Sequence, residues 1–533
     1  MSALTESPAW RNLGERRAAT RGITLTELFA ADPDRTGRLT DTVAGVTVDA
    51  ARTHLTPSIQ QDLLALAGQE DVLGWRDRMF AGERVNRSED RAALHAALRT
   101  PELAGVEIDG QRVGDAVAAM HARMAELVDG LREGRLRAAD GAPFTDVVHL
   151  GIGGSDLGPR LACDALGVSA HGVPRVHFVA NLDPADREHA LRDVDIDRCL
   201  VIVASKTFTT LETLSNARAL FERLAGRFGA DAARKHFVAV TTRADRAREW
   251  GIDDARILPL WDWVGGRFSL WSAIGLPVAF ALGMAGFREL LAGAAEVDRH
   301  FRAAPAIDNV PLRLALIGVW YHNFVGAGSH VVVPYSERLA LLPSYLQQLE
   351  MESNGKSVDR AGTPVAYATA PAVWGQVGTT SQHAFFQWLH QGNRTAVCDF
   401  VVVRDGTSAA HAGMAANALA QAAALMTGHS AEELRRDGVE ESLRQARAMR
   451  GNHPVVLFEL DGLYPRSLGA LIAIHEHRVF CQAMLWRINP FDQWGVERGK
   501  LLANRLTPVL QGEPGSDEWD PATRASIARC RRD

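Results

Sequence analysis

Apolar positions in residues 1 to about 110 recur at helical spacing among Ala, Leu and Arg, as in Asp90-Arg91-Ala92-Ala93-Leu94-His95-Ala96-Ala97-Leu98-Arg99, and strand-like runs are few. An apolar stripe of that period predicts amphipathic helix, so residues 1–111 read as a mainly helical N-terminal segment. The pattern changes from residue 112. Short β-branched runs, each followed by a Gly, Ser or Thr loop and then an amphipathic stretch, begin with Val147-Val148-His149-Leu150, Leu200-Val201-Ile202-Val203-Ala204 and Phe237-Val238-Ala239-Val240. That alternation predicts βαβ units and a parallel sheet, placed here in a first α/β domain over 112–285. A second α/β domain, 286–512, has Ser329-His330-Val331-Val332-Val333-Pro334-Tyr335 and Asp399-Phe400-Val401-Val402-Val403 as its clearest strands. Residues 270 to 305 are apolar and then Ala- and Glu-rich, which suits helices that bridge or pack the two lobes. The tail, 513–533, reads as a loop and a short polar helix. The fold class is therefore α/β, two lobes with parallel sheets plus helical N-terminal and C-terminal additions.

Composition narrows the partners. The chain has 533 residues, 47% hydrophobic and 23% charged, which is ordinary for a soluble globular protein and too long for one small core. A net charge of -6 offers no basic field for a nucleic-acid backbone or an anionic membrane, so an anionic ligand must be held by a local pocket. Five widely spaced cysteines without a C-x-x-C pair point to a reducing compartment. With no basic n-region followed by an apolar core at the N-terminus, and no run of about 18 apolar residues, the expected location is cytoplasmic.

Only four of the 58 basic residues are lysines: Lys206, Lys235, Lys356 and Lys500. Where Arg serves as the general surface cation, Lys is expected where a compact, proton-yielding ammonium is needed. Three of the four lie in segments with the look of ligand loops. Gly151-Ile152-Gly153-Gly154-Ser155-Asp156-Leu157-Gly158 follows a strand and opens a helix, but Asp156 breaks the dinucleotide fingerprint G-x-G-x-x-G. It reads as a tight turn or as a phosphate or sugar-hydroxyl loop, and the strand before it favours the second. Ser205-Lys206-Thr207-Phe208-Thr209-Thr210 places four hydroxyls and a lysine at a strand's C-terminal end, a side-chain phosphate cradle that a simple helix cap does not account for.

Glu350-Met351-Glu352-Ser353-Asn354-Gly355-Lys356-Ser357 ends like a nucleotide-binding P-loop, yet Glu350 stands where its first Gly is required, which excludes nucleotide hydrolysis. A carboxylate, Glu352, remains among small polar residues. His383 and His390 lie seven apart, on one face if their segment is helical, without the third ligand a zinc site needs. One of them is a candidate acid/base group and the other a buried, hydrogen-bonded histidine. His475-Glu476-His477 is a poor metal site, since alternate helical residues diverge. Phe491-Asp492-Gln493-Trp494-Gly495-Val496-Glu497-Arg498-Gly499-Lys500 offers amide and carboxylate groups for sugar hydroxyls, with Glu497 solvent-facing or ion-paired.

Together these segments resemble the phosphoglucose isomerase family. The resemblance spans about residues 75 to 505, including Met79-Phe80-Ala81-Gly82-Glu83-Arg84-Val85-Asn86 and two highly specific stretches, Asp262-Trp263-Val264-Gly265-Gly266-Arg267-Phe268-Ser269-Leu270-Trp271-Ser272-Ala273-Ile274-Gly275 and Asp492 to Lys500. It implies two sugar-isomerase-type αβα domains, a homodimer with the active site at the subunit boundary, and no metal or organic cofactor. Glu352 is then the general base moving a proton between C2 and C1 of the open-chain sugar. His383, reaching in from the neighbouring subunit, assists ring opening with Lys500, and Arg267 stabilises the enediolate-like charge. Gly154, Ser155, Ser205, Lys206, Thr207 and Thr210 hold substrate and phosphate, and Gln348 and Gln493 complete the sugar pocket.

The residue types suit that chemistry. One carboxylate can remove a carbon-bound proton and return it to the adjacent carbon. A fixed cation stabilises the oxygen that gains charge. A binding module would have no need of Glu352, His383, Arg267 and Lys500 together. The chain departs from the family's usual wording at Thr380-Ser381, where Asn-Gly is common, at His453 in place of Arg, and at Arg498 in place of an aliphatic residue. These departures bear on the His383 loop and on the contact near 452, and none removes a proposed catalytic group.

Overall fold

The computed structural model describes residues 3–167, 174–404, 406 and 408–531. The chain forms two compact units, residues 1–490 and 491–533. In chain order the described strands are β1 (Thr40–Val43), β2 (Val46–Asp49), β3 (Glu107–Ile108), β4 (Gln111–Arg112), β5 (Asp146–Leu150), β6 (Arg175–Val179), β7 (Cys199–Ala204), β8 (Phe237–Thr241), β9 (Ile257–Pro259), β10 (Ser329–Pro334), β11 (Ala372–Gly375), β12 (Ala396–Val403) and β13 (Val455–Leu460).

β6-β5-β7-β8-β9 make one sheet in that order, parallel throughout. Its central strands β5, β7 and β8 are buried along their whole length, which is why they read as unbroken apolar runs: crossover helices cover both faces. From β5 the chain steps to β6 on one side and then returns to β7 on the other. At such a reversal the following loops diverge and leave a crevice at the strands' C-terminal ends. The two loops that flank it are those after β5 and β7, the Gly153-Gly154 and Ser205–Thr210 segments.

The second sheet runs β1-β2-β13-β12-β10-β11. β13, β12, β10 and β11 are parallel neighbours, and β2 joins β13 antiparallel with Leu460 opposite Val46 and Leu457 opposite Asp49. The N-terminal segment is thus not simply helical: residues 40–49 form a hairpin that closes the edge of the second sheet. The period-two alternation of Val46-Thr47-Val48-Asp49, with both valines buried and the polar residues half-buried, is the signal a helical reading passes over.

The helix expected over Asp90–Arg99 is also absent. Asn86 and Arg91 form an isolated bridge, and only His95–Leu98 makes a 3-10 turn. Residues 92 to 98 are buried on all sides, so no face remains polar, and the Leu94 amide donates to the Trp263 carbonyl at 3.0 Å. Arg99 then bridges Asp298 and Glu476, at 2.8 and 2.5 Å, across two long helices. Tertiary contact overrides helical propensity here.

Those helices, Leu276–Ala303 and Pro465–Leu485, pack on one another. Their backbones meet closely, because a Cβ on Gly469 would stand 2.0 Å from the Leu290 carbonyl oxygen. The packing role expected for residues 270 to 305 is what the Leu276–Ala303 helix performs. The 491–533 unit holds two helices, Glu497–Leu510 and Pro521–Cys530, in keeping with a short helix in the tail.

Candidate active site

The turn after β5 enters the helix Leu157–Leu166 through a 3-10 turn at Gly153–Ser155. Gly154 is fixed by its surroundings. A Cβ there would lie 2.2 Å from both the carbonyl carbon and oxygen of Gly266 and 2.6 Å from the Arg267 nitrogen, so only hydrogen fits. The Gly153-Gly154 and Gly265-Gly266 pairs, 112 residues apart in sequence numbering, are thus two halves of one backbone contact. Gln348 closes the same corner: its Nε2 would lie 3.0 Å from a Cβ on Gly153. Buried His149 donates from Nε2 to the Ser155 carbonyl at 2.6 Å and steadies the turn from below.

After β7, Ser205 Oγ and Thr210 Oγ1 lie 2.9 Å apart, and Thr207 Oγ1 and Thr209 Oγ1 2.7 Å apart. Thr210 is the N-cap of the helix Leu211–Phe228, yet its hydroxyl makes no capping bond. The hydroxyls are turned to one another instead of being used by the helix. Phe208 has a φ of 51°, unusual for a bulky residue, and its buried ring anchors the loop in the core beneath the sheet. Strain of this kind gathers at ligand-holding loops.

Lys206 reaches from this loop to the 262–264 stretch, with Nζ 3.4 Å from Asp262 Oδ1 and 3.3 Å from the Val264 carbonyl oxygen. Burial lowers its pKa, and Asp262 opposes that shift. Both switch-point loops therefore converge on residues 262–267, from which Arg267 projects.

Arg267 is almost entirely buried. Its Nε donates to Ser353 Oγ at 2.6 Å and its Nη2 to the Pro490 carbonyl, which fixes the guanidinium plane. Nη1 then lies 3.6 Å from Glu352 Oε2, close enough for ionic attraction but beyond a good hydrogen bond. The Glu352 carboxylate is 24% exposed while the Arg267 side chain is 1% exposed, so the cation is pinned and the carboxylate stays accessible to solvent.

Glu352 ends a π-helical stretch, Gln347–Glu352, that follows the helix Leu342–Leu346. A widened turn of this kind is rare and recurs at functional sites. Lys356 donates from Nζ to the Glu352 carbonyl at 2.8 Å, so its Gly-Lys-Ser setting serves to cap this turn.

The structure thus gathers Gly154, Gln348, Arg267 and Glu352 at one corner, with Lys206 reaching the adjoining 262–264 stretch from the loop in which Ser205 and Thr210 pair. His383 is not on the same helix as His390: Gly378–Gln382 ends before it and Phe386–Gln391 begins after it. The break has a packing cause. Trp374 stacks edge-on against Phe385, with centroids 4.7 Å apart, and Phe386 turns into the core, leaving His383 exposed. His390 is the hydrogen-bonded one, half-buried rather than buried, with Nε2 2.8 Å from Gln421 Oε1. Ser381, in the altered loop wording, donates its buried hydroxyl to the Gly378 carbonyl at 2.6 Å.

Near the other departure, Asn452 accepts from the Leu25 amide at 2.8 Å and tethers the N-terminal segment. In the 491–533 unit Lys500 is exposed, 3.5 Å from Glu497, which is itself solvent-facing, so both alternatives for that glutamate hold together. Ser353 and Gly266 were not among the expected site residues. Both flank predicted ones, and the doubled glycines at 153-154 and 265-266 were the readable signal for close backbone approach.

The chain is similar to known proteins along its whole length. The family model described as phosphoglucose isomerase matches residues 49–527. The glucose-6-phosphate isomerase of Deinococcus radiodurans is 45% identical over 100% of this chain and 99% of that protein. Glucose-6-phosphate isomerase 1 of Streptomyces avermitilis is 46% identical over 99% and 98%. The crystal structure of a glucose-6-phosphate isomerase from Chlamydia trachomatis superposes with a TM-score of 0.85 at 30% identity, covering 99% of each chain.

Proposed function

Because the chain belongs to the phosphoglucose isomerase family, it catalyses the reversible aldose-ketose isomerisation of glucose 6-phosphate and fructose 6-phosphate in glycolysis and gluconeogenesis, and we propose that Glu352 carries the proton between C2 and C1. The supporting observation is the pair formed by Glu352 and Arg267. A solvent-accessible carboxylate can accept a carbon-bound proton and return it one carbon away. A guanidinium held by Ser353 and Pro490 needs no reorganisation when the sugar oxygens gain charge.

Ser205, Lys206, Thr207 and Thr210 bind the phosphate, with Lys206 exchanging its weak contacts at 262–264 for the dianion. Gly154, Ser155, Gln348 and Gln493 bind the sugar. His383 and Lys500 open the ring, and this assignment rests on the family resemblance. The exposure of His383 on the single chain fits a homodimer in which it serves the neighbour's site. All five cysteines are free, which fits a cytoplasmic location. The division into sugar-isomerase domains at 112–285 and 286–512 is part of the same proposal.

The assay is direct. Purified protein given fructose 6-phosphate with excess chelator is expected to form glucose 6-phosphate; no product, or strict dependence on added metal, overturns the proposed mechanism.

A further inference from the structure

Four charged or ionisable side chains that take no part in the proposed chemistry meet in the core beneath Glu352. Arg478, on the helix Pro465–Leu485, donates from Nη2 to Glu350 Oε2 and from Nη1 to Asp399 Oδ2, each at 2.8 Å. His330 completes the ring, 2.7 Å from Asp399 and 3.3 Å from Glu350. All four are buried, Glu350 and Arg478 at 0% and 3% exposure. Asp399 and His330 stand on β12 and β10, adjacent parallel strands, so one side of the cluster is anchored in the sheet while Glu350 belongs to the π turn.

A buried ion cluster adds little stability over an apolar core of the same shape, and where one persists it often specifies an arrangement. Here it grips the π turn. Glu350 precedes Glu352 by two residues, which places the two carboxylates on nearly opposite sides of the turn, one buried and one accessible to solvent. The same helix takes hold again just beyond: Asn354 Nδ2 donates to the Val479 carbonyl at 3.1 Å and lies 3.3 Å from Gln482 Oε1. Glu352 therefore sits between two clamps, at 350 and 354, both anchored on the Pro465–Leu485 helix.

We propose that Arg478 is a positioning residue for the general base: by bridging Glu350 to Asp399 it holds the widened turn in the register that aims Glu352 at the reacting carbons. The inference rests on the reading of Glu352 as that base. Arg478 touches neither substrate nor Glu352. Its effect passes through Glu350 and the backbone, and a bidentate guanidinium is needed because an ammonium cannot bridge both carboxylates in one plane.

The test uses the full-length enzyme. Arg478→Lys and Glu350→Gln are each expected to lower kcat about 10- to 100-fold with KM within about twofold, since a misplaced base loses rate more than binding. With glucose 6-phosphate as substrate in deuterated water, a base that no longer returns its proton promptly is expected to raise the fraction of fructose 6-phosphate labelled at C1 above that of the wild-type enzyme. A folded variant with wild-type kcat and labelling overturns the proposal, even if its melting point falls, because that pattern is structural support alone. If both variants fail to fold, His330→Gln, which trims only the edge of the ring, decides by the same two readouts. Glu352→Gln is measured in parallel. If Glu352→Gln is active, the reading of Glu352 fails; if it is inactive while Arg478→Lys is normal, only the positioning role fails.

Discussion

Arg267 and Glu352 face one another with Nη1 and Oε2 3.6 Å apart, although 85 positions separate them in the sequence. One side chain is locked in the core and the other is accessible to solvent. The fixed partner keeps a positive charge beside the carboxylate throughout a reaction in which a proton leaves carbon and negative charge develops on oxygen.

Glu352→Gln keeps the side-chain shape and removes the basic oxygen. Turnover is expected to fall by at least about 10⁴-fold, at the upper end of what a positioned base contributes. Binding of a non-isomerisable hexitol 6-phosphate is expected to stay within about threefold, because the proposed phosphate contacts lie elsewhere. Coupled-enzyme kinetics and calorimetric titration check the two halves separately.

Arg267→Lys retains a charge but cannot hold Ser353 and the Pro490 carbonyl in one plane. A loss of about 10²- to 10³-fold in kcat is expected, the range for removing one preorganised donor to a developing oxyanion. Near wild-type turnover by this variant would contradict the assigned role.

Gly154→Ala places a Cβ 2.2 Å from the Gly266 carbonyl, so the backbone contact beneath Arg267 must open. A stability loss of about 1 to 3 kcal/mol is expected from overpacking of this kind. The accompanying drop in kcat is expected to be larger than that of an alanine placed at the exposed Gly495, and denaturant titration with steady-state rates distinguishes the two effects.

A shared site predicts complementation. Glu352→Gln and His383→Ala homodimers are each expected to be nearly inactive. Mixing them under subunit exchange produces heterodimers with one intact site, and recovery approaches about one quarter of wild-type activity for random pairing of a twofold dimer. No recovery despite proven exchange would place His383 and Glu352 of each site on the same chain.

Stability is expected to fall as pH drops below neutrality. Burial lowers His54, His121, His149 and His453 to about 4, and His475 to about 3, from an ordinary 6.5. Between pH 6.5 and these values the unfolded chain binds protons that the folded chain refuses, so stability rises with pH in that window. Buried carboxyls oppose the trend: burial raises Asp156 to about 6 and also raises Asp164 and Glu476. His330, where burial is outweighed by the Asp399 carboxylate, is raised to about 9, so its stabilisation is fully present below pH 6.5 and is lost only as pH rises toward 9. Burial also lowers His95, His236, His300 and His477, and thermal melts between about pH 7 and pH 5 are expected to show a falling midpoint.

Much of the architecture was legible. The runs at Val147, Leu200, Phe237, Ser329 and Asp399 all became strands, because strands buried on both faces must be apolar and β-branched throughout. The Asp90–Arg99 segment satisfies helical spacing locally, while Trp263, Asp298 and Glu476 redirect the chain; the seven-residue spacing of His383 and His390 is compatible with a helix, and Trp374 packing on Phe385 is what breaks it. The edge hairpin at 40–49 was missed because four-residue strands carry too little alternation to compete with the helical texture around them.

The α/β class, the kinds of group available at each loop and, through its motifs, the family can be read along the chain. Those properties are local: glycines beside strands, hydroxyls around a lysine, a carboxylate among small residues. Which of these groups meet is set by folding. The reversal of strand order at β5 and β7 opens the crevice, the Gly154 contact with Gly266 brings in Arg267, and Arg478 meets Glu350 two residues before Glu352. Contacts of this sort join positions scores of residues apart, and no period or spacing along the chain encodes them.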